Sequence, residues 1–410
     1  MNVAAKAAEA ARISKSRIVL LEGELKGYKT IQELIEWGMK EKQQVMEYKL
    51  KDGEKNGDLC GFLSFSSGTT GLPKAVMISH QNVIAQCLQI RQITPDSHKK
   101  ILAVLPVFHI TGLVHTLHLP ILINAEVYML PYFTMESMLS TVSKYRIKGP
   151  LLVPPILIRL VHDPIVSDYD LTCVERFSFP GTGFKQGYGM TESCSCITAH
   201  PPEKYDYKYT HRVGTICAST LIKIVDEDGK ELGTGQAGEI LAKGPQTALG
   251  YLGNEKATRE TFDEEGYLYT GDQAVFDDEG MVTITDRIKE MIKVKGIGVA
   301  PAELEDLLLG HDNVGDCAVL GTADEYSGEK PKAYIVRKNG VKSSEEKVGR
   351  QILSYVREKK VRYKWLEEVE FIAEIPKSAS GKILRRLLRD RERGGQDRGV
   401  VVRDEAKAKL

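Results

Sequence analysis

The stretch Ser66-Ser67-Gly68-Thr69-Thr70-Gly71-Leu72-Pro73-Lys74, written SSGTTGLPK, carries four hydroxyl groups, two glycines and one lysine. Leu72 is its single bulky apolar side chain, so the run cannot build a hydrophobic core. Glycine lets backbone N–H groups face a ligand closely, and hydroxyl and ammonium groups bind phosphate oxygens. A strand-like AVMIS and then a helix follow it, and a glycine-rich turn in that position predicts a phosphate-binding loop.

This loop differs from the P-loop of kinases and GTPases, which needs Gly-Lys-Ser/Thr in succession. Here Leu72-Pro73 separates Gly71 from Lys74. A flexible Ser/Thr/Gly linker is the alternative interpretation, and the structured segments on both sides argue against it. The identity of the phosphate ligand must come from the rest of the chain.

Composition excludes several classes of protein. With 410 residues the chain is long enough for at least two domains, and its 56 basic residues balance its 56 acidic ones. Such a balance gives no global attraction for nucleic acid, which we do not expect as a partner. No apolar run is long enough to span a bilayer, and the N-terminus lacks the apolar region of a secretory signal. Seven scattered cysteines favour a reducing compartment.

The first part of the chain alternates helical and extended segments. Residues 79–90 predict a helix capped by Ser79, with one apolar face formed by Val83, Ile84, Cys87 and Leu88. Residues 101–108 predict a buried strand, and residues 151–161 begin as another. This alternation favours an α/β domain with a largely parallel sheet.

The pattern of apolar and turn-forming residues changes after about residue 213. Residues 221–232 and 275–285 each predict two strands joined by a turn, so this part is β-rich. After Asp286 the pattern is α+β, with a helix from Pro301 to Gly310 and another that starts at a capping box of Ser343 and Glu346. The end, residues 389–410, is highly charged and is expected to be mostly unstructured.

Four further stretches suit a nucleotide, although each alone is a weak signal. They are QGYGMTE (186–192), YTGD (269–272), DRIKEMIKVKG (286–296) and PKSASGKILRR (376–386). A turn or a solvated basic segment is the ordinary explanation for any one of them. Taken together with the loop and in this order, the five stretches are highly specific.

The ordered set resembles the adenylate-forming superfamily of acyl-CoA synthetases, coumarate–CoA ligases, firefly luciferase and peptide-synthetase adenylation domains. The resemblance covers about residues 12–389 and is nearest to coumarate–CoA ligases and their fungal relatives, through LPVFHITGL (105–113), VPPILIRL (153–160), VAPAELEDLLL (299–309) and IPKSASGKILRR (375–386). It implies the α/β adenylate-forming fold. A large domain with a β-rich module, incomplete at its N-terminus, would cover residues 1–286. A small α+β domain would cover residues 287–390, and a flexible tail residues 391–410.

The resemblance also implies an activity: ATP converts a carboxylic acid to acyl-AMP, and CoA then takes the acyl group. The implied ATP-phosphate loop consists of Ser66, Ser67, Gly68, Thr69, Thr70 and Lys74. The implied adenosine and α-phosphate site consists of Gln186, Gly187, Tyr188 and Thr191, with Glu192 as the Mg²⁺ ligand. Asp272 and Arg287 would bind the ribose. His109 would shape the acyl pocket, and Lys382 would be the mobile lysine of the first half-reaction. Lys289 would be the interdomain hinge, Lys293 a nucleotide contact, and Lys295 with Gly296 the lining of the CoA channel.

Three departures from the family pattern keep an alternative open. Few residues precede Ser66, the segment before QGYGMTE is short, and Gly298 stands where the family often has glutamine. The alternative is a degenerate relative with weak nucleotide binding and little catalysis. We also expect uneven stability, with a well-protected C-terminal domain and a loosened large domain. The acid cannot be specified further than aryl-propenoic, phenylacetic or medium-chain. Luciferase-like oxidation and peptide-synthetase loading are less favoured alternatives.

Two remaining patterns concern metals and location. His109, His115 and His118, or Cys194, Cys196 and His200, lack zinc-finger spacing, so no further metal is expected from them. The terminal Ala408-Lys409-Leu410 resembles the Ser-Lys-Leu signal that a peroxisomal import receptor binds. The sequence therefore predicts a peroxisomal location.

Overall fold

A computed structural model describes residues 2–41, 48–66, 73–175, 185–378, 381–394 and 399–404. The chain divides into two compact units, Met1–Glu54 and Lys55–Leu410. The first unit contains helix α1 (Asn2–Ala10), the parallel pair β1 (Val19–Leu20) and β2 (Lys29–Thr30), and helix α2 (Ile31–Lys40). Thr30 and Glu33 form a reciprocal capping box that starts α2.

The second unit begins with a hairpin that carries the predicted phosphate loop. Strands β3 (Cys60–Ser66) and β4 (Lys74–Ser79) are antiparallel, and Ser66 pairs with Lys74. Ser67, Gly68, Thr69 and Thr70 lie outside the described residues.

Helix α3 (His80–Gln92) follows, and Ser79 caps it as predicted. The predicted apolar face is wrong for Ile84 and Leu88, which are 53% and 46% exposed. The buried side instead includes Asn82, whose amide donates to the carbonyl oxygens of Pro245 and Thr247 at 2.9 and 2.8 Å. Polar contacts to a distant loop therefore set the orientation of this helix, and hydrophobic periodicity does not reveal them.

The next segment, residues 100–162, is mostly helical and contains one pair of parallel strands. Its elements are β5 (Lys100–Ala103), α4 (Ile110–Gly112), a π-helical turn (Leu113–His118), α5 (Leu119–Ile123), β6 (Glu126–Met129), α6 (Met135–Tyr145) and α7 (Pro154–His162). Strand β5 pairs with β6 in parallel and is shorter than the predicted strand over 101–108. The strand predicted at the start of 151–161 is wrong: Pro154 begins a helix there, since its fixed φ suits a first helical turn. Among the described residues of this segment, the predicted largely parallel sheet is limited to these two strands.

The β-rich middle is confirmed. Strands β7 (Gly187–Met190), β8 (Ser195–Ala199) and β9 (Thr215–Ile216) form one antiparallel sheet. A second antiparallel sheet has the order β10-β11-β12-β13. Its strands are β10 (Leu221–Val225), β11 (Ala237–Lys243), β12 (Leu268–Phe276) and β13 (Val282–Arg287), and helix α8 (Glu255–Thr261) lies between β11 and β12 in the chain.

The C-terminal part is an α+β layer built on a six-stranded sheet of order β15-β14-β17-β18-β19, with β16 paired to β17. Its elements are β14 (Ile292–Val294), β15 (Ile297–Val299), α9 (Pro301–Leu309), β16 (Val314–Asp324), β17 (Gly328–Arg337), α10 (Glu345–Lys359), β18 (Glu368–Phe371), α11 (Arg385–Gly394) and β19 (Val401–Arg403). One hydrophobic cluster joins its strands to α9 and α10.

Two local predictions in this part are wrong. The N-cap of α10 is Ser344, whose hydroxyl accepts from the Lys347 N–H, and not Ser343. The end of the chain, expected to be mostly unstructured from residue 389, instead includes the second half of α11 and strand β19, which pairs with β18 and buries Val402. Within the part of the chain that the structure describes, no helix is long and apolar enough to cross a membrane.

Candidate active site

A cavity of about 900 Å³ in the second unit gathers most of the predicted site residues. Those that line it are Ser66, Lys74, His109, Gln186, Gly187, Tyr188, Thr191, Glu192, Asp272, Arg287, Lys289 and Lys382. They come from the hairpin, the α4 segment, two sheets and the C-terminal layer. The fold therefore brings residues of all five predicted stretches to one cavity. For the phosphate loop, these are its two described ends, Ser66 and Lys74.

Lys74 and Glu192 are connected through Tyr251. The Lys74 ammonium lies 4.5 Å from the Tyr251 ring centroid, and the Tyr251 hydroxyl donates to Glu192 Oε1 at 2.8 Å. Backbone hydrogen bonds hold this arrangement, since Ala248 N–H donates to the Glu192 carbonyl and Met77 N–H to the Gly250 carbonyl. Glu192 is 4% exposed and still lines the cavity, so a lysine and a carboxylate stand at fixed positions beside the loop.

Tyr188, Asp272 and Arg287 form a second connected group. The Tyr188 hydroxyl donates to Asp272 Oδ2 at 2.6 Å, and Arg287 Nε lies 3.5 Å from Asp272 Oδ1. Asp272 and Arg287 are register partners of β12 and β13, which explains their proximity. Burial raises the pKa of the Asp272 carboxyl, while the Tyr188 hydrogen bond and the charges of Arg287 and Lys382 lower it. A fixed carboxylate beside an arginine suits vicinal hydroxyl groups.

Lys382 reaches the same cavity from the loop before α11. Its backbone N–H donates to Ser378 Oγ at 3.2 Å, and Gly381 before it has φ 80°, a conformation that glycine adopts without strain. Burial and the Arg287 charge lower the pKa of Lys382, while Glu290, Asp272 and Glu192 raise it. The ammonium therefore shares its electrostatic environment with both groups described above.

His109 also lines the cavity. It is the N-cap of α4, and its Nδ1 accepts from the Thr111 N–H at 3.4 Å. Burial lowers the pKa of its imidazole. The cavity lining also includes the apolar side chains of Phe108, Ile110, Leu119, Leu152 and Leu157. These side chains suit an apolar or aromatic group.

Three predicted residues are not part of the cavity lining. Lys293 belongs to β14, and Lys295 and Gly296 form the two-residue turn between β14 and β15, with φ 52° and 78°. Positive φ at both positions is typical of a tight hairpin. Lys295 lies 4.1 Å from the Tyr326 ring centroid. The roles suggested for these residues stay predictions.

Sequence reasoning missed a buried ion cluster around Arg385. Arg385 donates to both carboxylate oxygens of Glu305, at 2.6 and 2.7 Å, and to Glu290 at 2.8 Å. This cluster joins the start of α11 to α9 and to the turn after β13. Sequence reasoning also missed Tyr251 and Glu239, which both line the cavity. Glu239 accepts a hydrogen bond from the Gly271 N–H. These contacts join residues far apart in sequence, so no local pattern marks them.

Comparison with known proteins finds two family models that match this chain. The model of the AMP-binding enzyme family matches residues 3–252, and that of the AMP-binding enzyme C-terminal domain matches residues 303–382. The chain is 38% identical to 4-coumarate–CoA ligase 2 of Nicotiana tabacum over 373 residues, which are 84% of this chain and 68% of that protein.

Two solved structures are similar in fold as well as in sequence. The anthranilate CoA ligase AuaEII in complex with anthranoyl-AMP has a TM-score of 0.80 and 28% identity, covering 95% of this chain and 76% of that one. The o-succinylbenzoate CoA synthetase MenE from Bacillus subtilis, in complex with ATP and magnesium ion, has a TM-score of 0.73 and 28% identity, covering 88% and 76%. None of these comparisons favours a degenerate relative.

Proposed function

Since this chain belongs to the AMP-binding enzyme family and is an AMP-forming acid–CoA ligase, we propose that its substrate is an aromatic carboxylic acid, activated with ATP and Mg²⁺. The acid and ATP give acyl-AMP and pyrophosphate, and the thiol of CoA then displaces AMP to give the acyl-CoA. The observation that carries the proposal is the single cavity in which Lys382, Glu192 and Asp272 stand beside an apolar lining.

The side chains account for the first step. A carboxylate oxygen attacks the α-phosphorus, and negative charge grows on the phosphoryl oxygens while pyrophosphate leaves. A positioned ammonium stabilises that charge most where it develops, and Lys382 and Lys74, which both line the cavity, are our candidates for this role. Tyr188, Asp272 and Arg287 would hold the nucleotide by its sugar, so that the α-phosphorus stays in place.

Glu192 suits the predicted magnesium ion. It is a carboxylate, which Mg²⁺ prefers, and the Tyr251 hydrogen bond fixes its orientation at the cavity wall. When bound, the ion neutralises phosphate charge. We expect Glu192→Gln to raise the Mg²⁺ concentration that half-saturates ATP–pyrophosphate exchange. An unchanged Mg²⁺ dependence would remove Glu192 from this role.

The aromatic acid is supported by the apolar lining and by the names of the relatives, which act on 4-coumarate and anthranilate. The test is ATP–pyrophosphate exchange with a panel of acids: cinnamate, 4-coumarate, phenylacetate, benzoate, octanoate and acetate. We expect the aryl acids to give the highest kcat/KM and acetate the lowest. Octanoate above every aryl acid would replace the aromatic substrate by a medium-chain one.

For location, we propose that a peroxisomal import receptor binds Ala408-Lys409-Leu410, residues that lie outside the described part of the chain. A fluorescent protein fused to the N-terminus should give punctate signal that coincides with a peroxisomal marker. Deleting Leu410 should make the signal diffuse. Diffuse signal with the intact tripeptide would refute the proposal.

A further inference from the structure

The carboxylate of Glu239 lines the cavity but has no role in the steps described above. Glu239 lies on β11, which pairs with β12, the strand that carries Asp272 of the suggested sugar site. Its Oε1 atom accepts a hydrogen bond of 2.9 Å from the Gly271 N–H. This contact joins a carboxylate of the cavity wall to the residue immediately before Asp272.

The contact exists because β12 bulges at this point. Strand β11 has one residue between its register pairs with Gln273 and Tyr269, whereas β12 has three, at positions 270–272. The extra residues of a bulge leave the ladder of backbone hydrogen bonds, so their N–H groups need other acceptors. Bulges also re-aim side chains beside binding sites, and this bulge carries Asp272.

Two side chains accept from N–H groups of the bulge. The first is Glu239, which binds the Gly271 N–H. The second is Thr270, whose Oγ1 accepts from the Asp272 N–H at 3.1 Å and donates to the Ile240 carbonyl oxygen at 2.7 Å. Thr270 and Asp272 are buried, so solvent does not readily replace an acceptor that is lost here. Both side chains therefore tie the bulge to β11.

The Gly271 carbonyl oxygen joins the bulge to the strand on its other side. It accepts from the Ile288 N–H at 2.8 Å, directly after the end of β13. Arg287, the last residue of β13, is the register partner of Asp272. Gly271 therefore links Glu239 to both sides of the suggested sugar site.

The electrostatic environment of Glu239 is that of the same site. Burial raises the pKa of the Glu239 carboxyl, while the hydrogen bond from the Gly271 N–H lowers it. The Asp272 charge also raises this pKa, and the Lys289 charge lowers it. The bond to Gly271 needs an acceptor oxygen within reach, and it does not need a negative charge. Reach and charge can therefore be tested separately.

We propose that Glu239 is a positioning residue for the nucleotide: by holding the Gly271 N–H, it fixes the bulge that presents Asp272 to the two hydroxyl groups of the sugar. This inference rests on the part of the proposed function that assigns Asp272 and Arg287 to the sugar. A carboxylate held in place accepts charge-assisted hydrogen bonds from both hydroxyl groups. Loss of its support therefore weakens most the binding of a nucleotide that has these hydroxyl groups.

The test compares the binding of ATP and of 2′,3′-dideoxy-ATP, each with Mg²⁺, to the full chain by isothermal titration calorimetry. The ratio of the two Kd values isolates the sugar hydroxyl groups, whereas a general loss of structure weakens both nucleotides alike. We expect the wild type to favour ATP by at least about tenfold, since the analogue loses two charge-assisted hydrogen bonds. Binding needs no acid, so the result does not depend on which acid is the substrate.

Two conservative variants separate reach from charge. Glu239→Gln keeps an acceptor oxygen at the same reach and should keep the ratio within about twofold of the wild type. Glu239→Asp keeps the charge but is one methylene shorter, so it should lower the ratio to about threefold or less, as should Glu239→Ala. Glu265→Ala is the matched control, since Glu265 pairs with Lys223 outside the cavity lining and should keep the wild-type ratio.

The outcomes separate this inference from the sugar assignment. A wild-type ratio near one, or an undiminished ratio in Asp272→Ala, would overturn both. A ratio that falls in Asp272→Ala but survives in Glu239→Asp and Glu239→Ala would overturn the inference alone. So would a ratio in Glu239→Gln as low as that in Glu239→Ala, because Glu239 would then act by its charge. If Glu239→Ala does not fold, the contrast between Glu239→Gln and Glu239→Asp decides.

Discussion

At the scale of single residues, we expect the loss of Lys382 to affect the two half-reactions differently. Lys382→Ala should lower ATP–pyrophosphate exchange by about 10²- to 10³-fold, because a positioned donor to the developing charge is lost. Transfer from preformed acyl-AMP to CoA should change far less. Lys377→Ala is the matched control, since Lys377 lies in the same loop but donates to Asp316 at 2.5 Å, outside the cavity lining. Equal loss of both half-reactions in Lys382→Ala would contradict the assignment.

The pH dependence of adenylation provides a second test of Lys382. Burial and the Arg287 charge hold the pKa of Lys382 below the ordinary lysine value of 10.5. The protonated form is the one that stabilises phosphoryl charge, so exchange should fall as pH rises through this lowered pKa. Lys382→Arg should be slower but should lose this alkaline limb, since a guanidinium stays charged. The same alkaline limb in both proteins would assign it to another group.

At the scale of structural elements, a buried lysine joins two interior strands of the C-terminal sheet to α11. Lys332 of β17 is fully buried, and its Nζ lies 2.6, 2.8 and 2.5 Å from carboxylate oxygens of Glu368, Glu370 and Glu392. The first two belong to β18 and the third to α11. These three carboxylates lie close enough together to hold a cation, and the ammonium of Lys332 already contacts all three.

Lys332→Met should therefore destabilise this layer by about 3–5 kcal/mol, because three acidic groups would lose their shared buried ammonium, and Glu368 and Glu370 would each keep only an arginine partner. Lys330→Met is the control: Lys330 pairs with Asp324 and Glu367 nearer the surface and should cost no more than about 1 kcal/mol. Hydrogen exchange of the β17 and β18 amides in the full chain measures both effects. Equal protection in the two variants would mean that Lys332 does not hold the layer together.

At the scale of the whole molecule, we expect uneven stability within the second unit. The C-terminal layer has one six-stranded sheet and a continuous hydrophobic cluster. The segment from β3 to β6 has two separate two-stranded sheets and exposes Phe65, Phe108 and Ile121 at 65%, 76% and 80%. Two-stranded sheets are marginal by themselves, and exposed apolar area contributes nothing to stability.

Amides of β5 and β6 should accordingly exchange at least about 100-fold faster than those of β17. Hydrogen exchange read segment by segment on the full chain measures this difference, and addition of ATP with Mg²⁺ should reduce it, since binding stabilises the state that binds. Equal protection of the two regions without ligand would contradict uneven stability.

The sequence by itself determined the parts that depend on near neighbours. Ser79 caps α3 and Pro301 starts α9, because capping involves groups within about one helical turn. The hairpin after β12 follows from its turn residues. The ordered motifs also identified the family and twelve residues that line the cavity, since each motif is a short contiguous run.

Only the tertiary structure decided how these runs meet. The Asp272–Arg287 pairing, the Tyr251–Glu192 bond and the Arg385 cluster each join residues from different elements. The same holds for the buried face of α3, which turns toward Pro245 and Thr247. A hydrogen bond between distant segments depends on packing of the whole unit, and nothing in the neighbouring sequence encodes its partner.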